Sequence, residues 1–258
     1  METDSLSKPD VIELHNKSFL NVKIARRNPE LGRKYKVPRT PSLVLVDADG
    51  EMLWNLYGYV PNAEYVAWLK TAAVLARHPE AVLGKSQISA DVREVGDAFA
   101  RASHDGRALE FFNKALELNE KKPASEETKK FKAETLARKG LSLYKNQENM
   151  EKIEGVSKAL FDLDPEGKFG VRDNALFLRA LVDVTQGRGV EAAAAVDEAM
   201  KKYPDSDARD GLLYIRGYTL LHLKGDRENA RKAYQEILDR FPESPFRLGA
   251  EDALKSLK

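Results

Sequence analysis

Apolar side chains spaced three and four residues apart, in a pattern that recurs along the chain, constrain this fold more than any other feature. The clearest copy consists of Ala230, Ala233, Tyr234, Ile237, Leu238 and Phe241, and it is followed by proline. The same spacing occurs 38 residues earlier, at Ala192, Ala195, Val196, Ala199, Met200 and Tyr203, again followed by proline. Each copy predicts a helix with one apolar face. Because a single helical hairpin cannot bury such a face, self-similarity at this period predicts hairpins that stack on one another.

Two weaker copies extend the array toward the N-terminus. One ends at Leu163-Asp164-Pro165, and the earliest closes on Leu118-Asn119 without a proline. Short turns separate the helical stretches at Asp105-Gly106, at residues 186–189 and at residues 224–226. The pattern therefore predicts a helical-repeat domain over residues 85–258, ending in a capping helix.

Residues 1–84 differ in periodicity and contain the strand-like segments. The predicted strands are residues 19–25, residues 42–46 and residues 51–58, and the last two flank the turn at Asp49-Gly50. An Asp-Gly pair between two apolar runs is a strong hairpin signal. Helical patterns lie before, between and after these strands. The N-terminal part is therefore expected to be a small α/β domain.

The repeat domain resembles tetratricopeptide repeats. Ala230, Tyr234 and Ile237 with Pro242 carry the resemblance, and Gly225 lies where that family places the turn between its two helices. Ala192, Val196 and Ala199 with Pro204 and Gly187 form the equivalent set. The spacing of 37 to 40 residues departs from the usual period of about 34 residues. The resemblance implies a right-handed solenoid that binds peptide or protein segments on its concave face.

The N-terminal domain resembles the C-terminal portion of a thioredoxin-like domain. The resemblance is carried by residues 35–50 and by residues 56–60, which give the order helix, Val-x-x-x-Pro, strand, Asp-Gly turn and hairpin strand. In that family the proline matching Pro41 is in the cis form. The residue before it, here Thr40, offers its backbone to an extended substrate.

The segment that would carry the family's central strand and its Cys-x-x-Cys motif does not occur in this sequence. The family's sheet order places that strand between residues 19–25 and residues 42–46. Without it, buried backbone groups on either side would each cost about 1–3 kcal/mol. We expect direct closure of the neighbouring strands, donation of a strand by a partner, or a looser domain.

Composition limits the chemistry. The chain has 258 residues, no cysteine and a formal net charge of +1. A chain without cysteine has no thiolate nucleophile, disulfide or thiolate metal ligand. Near-neutrality argues against nucleic-acid binding, and no apolar run is long enough to span a membrane. No motif marks a catalytic residue, a metal site or a cofactor, so we expect none of the three.

Five residues are candidates for peptide binding. Thr40 and Pro41 could form a docking edge, or a turn that the fold alone requires. Lys139, Arg179 and Arg216 each precede a small residue at intervals of 40 and 37 residues, and we call these three residues the basic track. The basic track could hold an acidic peptide or a C-terminal carboxylate, or it could be an ordinary solvated face.

Together these features predict a mostly α protein, with a truncated thioredoxin-like α/β domain before a tetratricopeptide-like solenoid. The leading interpretation is a non-catalytic module that binds protein or peptide partners. The alternative is a fragment of a thioredoxin-like oxidoreductase or redox chaperone whose cysteines lie upstream of residue 1. The open sheet also allows homo-oligomers through strand exchange. The chain as given indicates the cytoplasm, whereas an upstream signal peptide would indicate the periplasm or secretion.

Overall fold

The computed structural model describes residues 6–24, 28–38, 40–59, 61–76, 79–242 and 244–257. Its internal contacts divide the chain into two compact units, Met1–Leu118 (unit 1) and Asn119–Lys258 (unit 2). Helices dominate both units in the described ranges, which confirms a mostly α protein. The boundary between residues 84 and 85 marks where helical periodicity begins in the sequence. As a boundary between folding units it stays a prediction.

Unit 1 contains a hairpin and several helices. In chain order the described elements are α1 Pro9–Ser18, α2 Pro29–Lys34, β1 Ser42–Val46, β2 Met52–Tyr57, α3 Asn62–Leu75, α4 Pro79–Lys85, α5 Ser89–Arg101 and α6 Asp105–Glu120. The last helix ends two residues inside unit 2.

The predicted hairpin is present as the antiparallel pair β1 and β2. Ser42 pairs with Tyr57 and Leu45 with Trp54, and one register shift occurs between Leu45 and Val46. The Asp47 carboxylate accepts hydrogen bonds from the backbone N–H groups of Asp49 and Glu51, at 3.0 and 2.9 Å. Gly50 has a φ of +76°, which a residue without a Cβ adopts at little cost. The Asp-Gly signal therefore identified this turn correctly.

The predicted strand over residues 19–25 is wrong for its described part, residues 19–24, which form no strand. The described sheet has two strands, in the order β1–β2. A strand persists only where its backbone groups find a neighbouring strand, and no described strand pairs with these residues. The part of the prediction that falls on residue 25 lies outside the described residues.

Helix α3 carries much of the buried apolar surface of unit 1 and contacts the hairpin through a tryptophan pair. Tyr65, Leu69 and Leu75 are fully or almost fully buried. Trp68 stacks on Trp54 of β2 with ring centroids 5.1 Å apart, so the two tryptophans anchor the hairpin to α3. Helix α3 also contacts α1 and α5.

Unit 2 is an array of helices in which each element packs on the next. The helices are α7 Glu126–Lys145, α8 Met150–Leu163, α9 Arg172–Thr185, α10 Gly189–Lys202, α11 Arg209–Lys224, α12 Arg227–Arg240 and α13 Arg247–Ser256. Contacts join every consecutive pair from α7 to α13, and further contacts join α7 to α9 and α9 to α11. This is the packing expected of stacked helical hairpins. The right-handed twist stays a prediction.

The apolar stripes that predicted the repeats are the buried faces of α10 and α12. The buried residues are Ala192, Ala195, Val196 and Ala199 in α10, and Ala230, Ala233, Tyr234 and Ile237 in α12. Both helices end at the aromatic residue before a proline, Tyr203 and Phe241. A proline disfavours helical backbone in the residue before it, so the aromatic-proline pair ends each helix.

Candidate protein-binding site

Thr40 and Pro41 lie where β1 begins. Both are exposed, and their peptide bond is cis, as the resemblance implies. The carbonyl oxygen of Pro41 accepts a hydrogen bond from the N–H of Gly58 at 2.7 Å. This carbonyl is therefore engaged by the hairpin itself. Whether the segment also docks a peptide stays a prediction.

Lys139 lies on α7, beside a point where two helices approach closely. A Cβ added to the next residue, Gly140, would lie only 2.3 Å from a methyl group of Leu178 on α9. Lys139 itself is half-buried. Burial and, to a smaller extent, the positive charge of Lys152 lower the pKa of Lys139. Within the described parts of the chain, no carboxylate forms an ion pair with its ammonium group.

Arg179 lies on α9 and is exposed, but it has internal partners. Its Nε lies 3.6 Å from Oδ2 of the buried Asp183, and its guanidinium lies 5.8 Å from the ring centre of Phe161. The other oxygen of Asp183 accepts from Arg188, at 2.6 Å from Nη2. Because Arg188 already neutralises much of that carboxylate, Arg179 is the weaker of its two partners.

Arg216 lies on α11 and is partly buried. The next residue, Gly217, faces the ring of Tyr234, which would lie 2.7 Å from an added Cβ. Among the described residues, the Arg216 side chain has no hydrogen bond or ion pair. Two of the three members of the basic track are thus partly buried cations without an anionic partner. No recorded contact joins any two of the three side chains.

An aromatic cluster in unit 2 was not anticipated from the sequence. It consists of Tyr144 of α7, Phe177 of α9, Tyr214 of α11 and Phe246, which directly precedes α13. The ring of Phe246 stacks on Tyr144 with centroids 5.7 Å apart and lies 5.3 Å from Tyr214. Burial and the nearby Tyr214 raise the pKa of Tyr144.

The position of Phe246 recurs in the repeat. The N-cap residues of α9, α11 and α13 are Val171, Ala208 and Phe246, and each is nearly buried. Phe246 is the largest of the three, and its ring stacks on Tyr144 of α7. Hydroxyl and carboxylate groups hold its segment in place, because Ser244 Oγ donates to Asp210 Oδ2 at 2.6 Å.

A polar hollow of about 370 Å³ lies near the start of α7. Its lining includes Glu126 and Glu166 as well as Lys129 and Lys168. Charges of both signs select neither an anion nor a cation, so the hollow favours no ligand class. In the described part of the chain, no group of three or more potential metal ligands comes together, and no helix is long and apolar enough to cross a membrane.

Comparisons with known protein families agree with this architecture. Residues 3–73 match the model of a thioredoxin-like domain, and residues 212–244 match the model of a tetratricopeptide repeat. The second match covers most of α11 and all of α12, the helical hairpin with the clearest apolar stripe. The comparison with curated proteins gives no match to this chain. The chain combines a thioredoxin-like domain with tetratricopeptide-type helical repeats.

Proposed function

We propose that this chain is a non-catalytic protein-interaction module that binds acidic peptide segments along the basic track of unit 2. The observation that carries the proposal is Lys139, a half-buried cation with a lowered pKa and no carboxylate partner in the described structure. A charge removed from water without a partner destabilises the fold. An acidic ligand would supply the missing counter-charge, and this gain is available only to an anion.

The other two positions support the same ligand class. Arg216 also lacks an anionic partner among the described residues, and its planar guanidinium suits bidentate binding of a carboxylate. Arg179 shares Asp183 with Arg188, so Asp183 keeps Arg188 as a partner at its other oxygen when a peptide carboxylate binds Arg179. The three positions recur on α7, α9 and α11, so an extended acidic segment could contact one cation in each repeat.

Fluorescence anisotropy with the full chain tests this proposal, using a fluorescein-labelled peptide of eight glutamates as the probe. We expect binding that weakens with added salt, because the ligand and the site carry opposite charges. Reversing all three basic-track residues to glutamate should weaken binding at least about tenfold, or about 1.4 kcal/mol.

A matched control reverses three exposed lysines elsewhere in unit 2, which changes the net charge equally. The control residues are Lys158, Lys201 and Lys224. Equal weakening by the control and the basic-track variant would show that only net charge matters. Unchanged binding in the basic-track variant would remove that surface from the proposal.

A redox role is the second candidate, and the thioredoxin-like match over residues 3–73 favours it. Thiol–disulfide exchange needs a thiolate, and this sequence has no cysteine. The cysteines would have to come from residues outside this sequence. Insulin reduction with dithiothreitol provides the test for this polypeptide. Turnover above the rate with dithiothreitol alone would contradict the non-catalytic assignment.

A further inference from the structure

The α9 position of the basic track has a carboxylate beside it, where the α7 and α11 positions have leucine. The residue four positions after each basic-track residue is Leu143 on α7, Asp183 on α9 and Leu220 on α11. Residues four apart lie on the same face of a helix. Leu143 is buried, and Leu220 packs against buried residues of unit 2. The repeat therefore accommodates an apolar residue at this position and does not require the charge of Asp183.

The two oxygens of the Asp183 carboxylate have different surroundings. Asp183 is 2% exposed, and its Oδ1 accepts from Nε of Arg188 at 2.8 Å and lies 2.6 Å from Nη2. Its Oδ2 is buried and accepts no hydrogen bond in the described part of the chain. Nε of Arg179 lies 3.6 Å from this Oδ2, too far for a hydrogen bond but close enough for charge attraction. Arg179 is therefore drawn toward a carboxylate that it does not fully satisfy.

The Asp183 side chain is held in place, whereas the Arg179 side chain is not. The backbone N–H of Arg188 donates to the carbonyl oxygen of Asp183 at 2.7 Å, and its Nη1 donates to Gln186. Gln186 in turn donates to Oε2 of Glu154 on α8 at 3.1 Å. The Arg179 side chain is 55% exposed, and within the described structure it forms no hydrogen bond. Arg179 can turn toward a ligand, but Asp183 then remains as a negative charge beside that ligand.

We infer that Asp183 determines the specificity of the peptide site by competing with acidic ligands for Arg179. The inference rests on the proposed function and adds a ligand preference to it. A ligand carboxylate that binds Arg179 lies near the charge of Asp183, and like charges in a poorly solvated place repel one another. At the other two positions the neighbouring residue is leucine, which contributes no such repulsion. The site therefore selects segments whose acidic residues flank an uncharged centre.

The packing of the helices sets the length of such a segment. Helix α9 contacts both α7 and α11. Directly packed helices lie about 8–10 Å apart, so α7 and α11 lie at most about 20 Å apart. An extended peptide advances about 3.3 Å per residue, so about six residues reach from one helix to the other. An eight-residue peptide with glutamates at both ends therefore spans Lys139 and Arg216.

Two peptides of equal composition test this preference by fluorescence anisotropy with the full chain. The flanking peptide is Glu-Glu-Gln-Gln-Gln-Gln-Glu-Glu, and the central peptide is Gln-Gln-Glu-Glu-Glu-Glu-Gln-Gln. Because both contain four glutamates, net charge does not distinguish them. The flanking peptide should bind at least about threefold more tightly, a factor within the range of one partly exposed ion pair. Equal binding, or tighter binding of the central peptide, would overturn the inference.

Removing the carboxylate should weaken this preference. Asp183→Asn keeps an oxygen that can accept from Arg188, and Asp183→Leu introduces the residue that α7 carries at this position. The central peptide should bind both variants at least about threefold more tightly than it binds the wild type, so the two peptides become closer in affinity. An unchanged affinity ratio between the peptides would contradict the role of Asp183. Circular dichroism and urea midpoints would verify that the variants are folded.

A double-mutant cycle separates competition for Arg179 from a general effect of charge. Asp183→Asn should tighten binding of the central peptide in the wild type but not in the Arg179→Gln background. The matched control is Asp197→Asn on α10, which removes one exposed carboxylate and should leave the affinity ratio between the peptides unchanged. A gain of the same size without Arg179, or from the control, would show that Asp183 acts through net charge alone and would overturn the inference.

The outcomes also distinguish this inference from the proposed function. If reversal of the basic track weakens peptide binding but Asp183→Asn leaves the peptide preference as it was, the inference fails and the proposed function stands. If neither the wild type nor Asp183→Asn binds either peptide, both fail.

Discussion

Replacing Phe246 by alanine tests whether the aromatic cluster holds unit 2 together. The ring is 7% exposed and contacts rings from α7, α9 and α11. Truncating a buried phenylalanine to alanine costs about 3–5 kcal/mol, because apolar burial is lost and a cavity remains. The Ser244–Asp210 hydrogen bond holds the backbone of this segment in place, so the cavity cannot easily collapse. We therefore expect a loss of about 3 kcal/mol in the free energy of unfolding.

Urea unfolding of the full chain, followed by far-UV circular dichroism, measures this loss. With a slope of about 2 kcal/mol per molar urea, the midpoint for unit 2 should fall by about 1.5 M. Hydrogen exchange should also accelerate in α13, whose N-terminus the ring anchors.

Leu248→Ala on the same helix is the matched control, since Leu248 is 73% exposed. It should change the stability by no more than about 0.5 kcal/mol. A loss of less than about 1 kcal/mol for Phe246→Ala would refute the reasoning, because truncating a ring that packs against three others should lower the free energy of unfolding by more than this.

Two further predictions concern α7 and α8. Gly140→Ala should destabilise unit 2 by about 1–3 kcal/mol, because the added Cβ would meet Leu178. Gly155→Ala on α8 has open space around the added Cβ and should stabilise unit 2 by about 0.5–1 kcal/mol. Urea midpoints that shift in the same direction for both variants would contradict this contrast. Lys139→Met should raise stability at pH 7, because burial lowers the pKa of Lys139 from 10.5 and the folded chain holds its proton less tightly than the unfolded chain. The wild type should therefore gain stability relative to the variant as pH rises from the lowered pKa to about 10.5. If the difference in urea midpoint stays constant between pH 7 and pH 10.5, burial does not disfavour the charged form of Lys139.

Much of the fold followed from local patterns. The stripes of α10 and α12 included every buried residue of these two helices, since helical periodicity alone decides which side chains share a face. The Asp-Gly turn also followed from a short motif, and the cis bond before Pro41 followed from the resemblance to thioredoxin-like domains. The strand predicted at residues 19–25 failed over residues 19–24, because a strand depends on a neighbour that local sequence cannot supply.

The sequence also predicted only part of the candidate site. The repeat period predicted equivalent positions for Lys139, Arg179 and Arg216, and the three residues lie on α7, α9 and α11. Their environments differ for reasons that the period does not contain. Arg179 has Asp183 as a partner, whereas Lys139 is half-buried beside the contact of Gly140 with Leu178. The repeat determines where a residue lies on its helix, whereas the neighbouring helices determine how deeply its side chain is buried and which charges lie beside it.

The sequence by itself determined that unit 2 stacks helical pairs, because apolar stripes at this spacing can be buried only against neighbouring helices. It also determined that no thiol chemistry resides in these residues, because a chain without cysteine has no thiolate. Only the tertiary structure decided that Phe246 reaches Tyr144 and that residues 19–24 lie outside the described sheet. Both depend on contacts between residues far apart in the chain, which no local periodicity encodes.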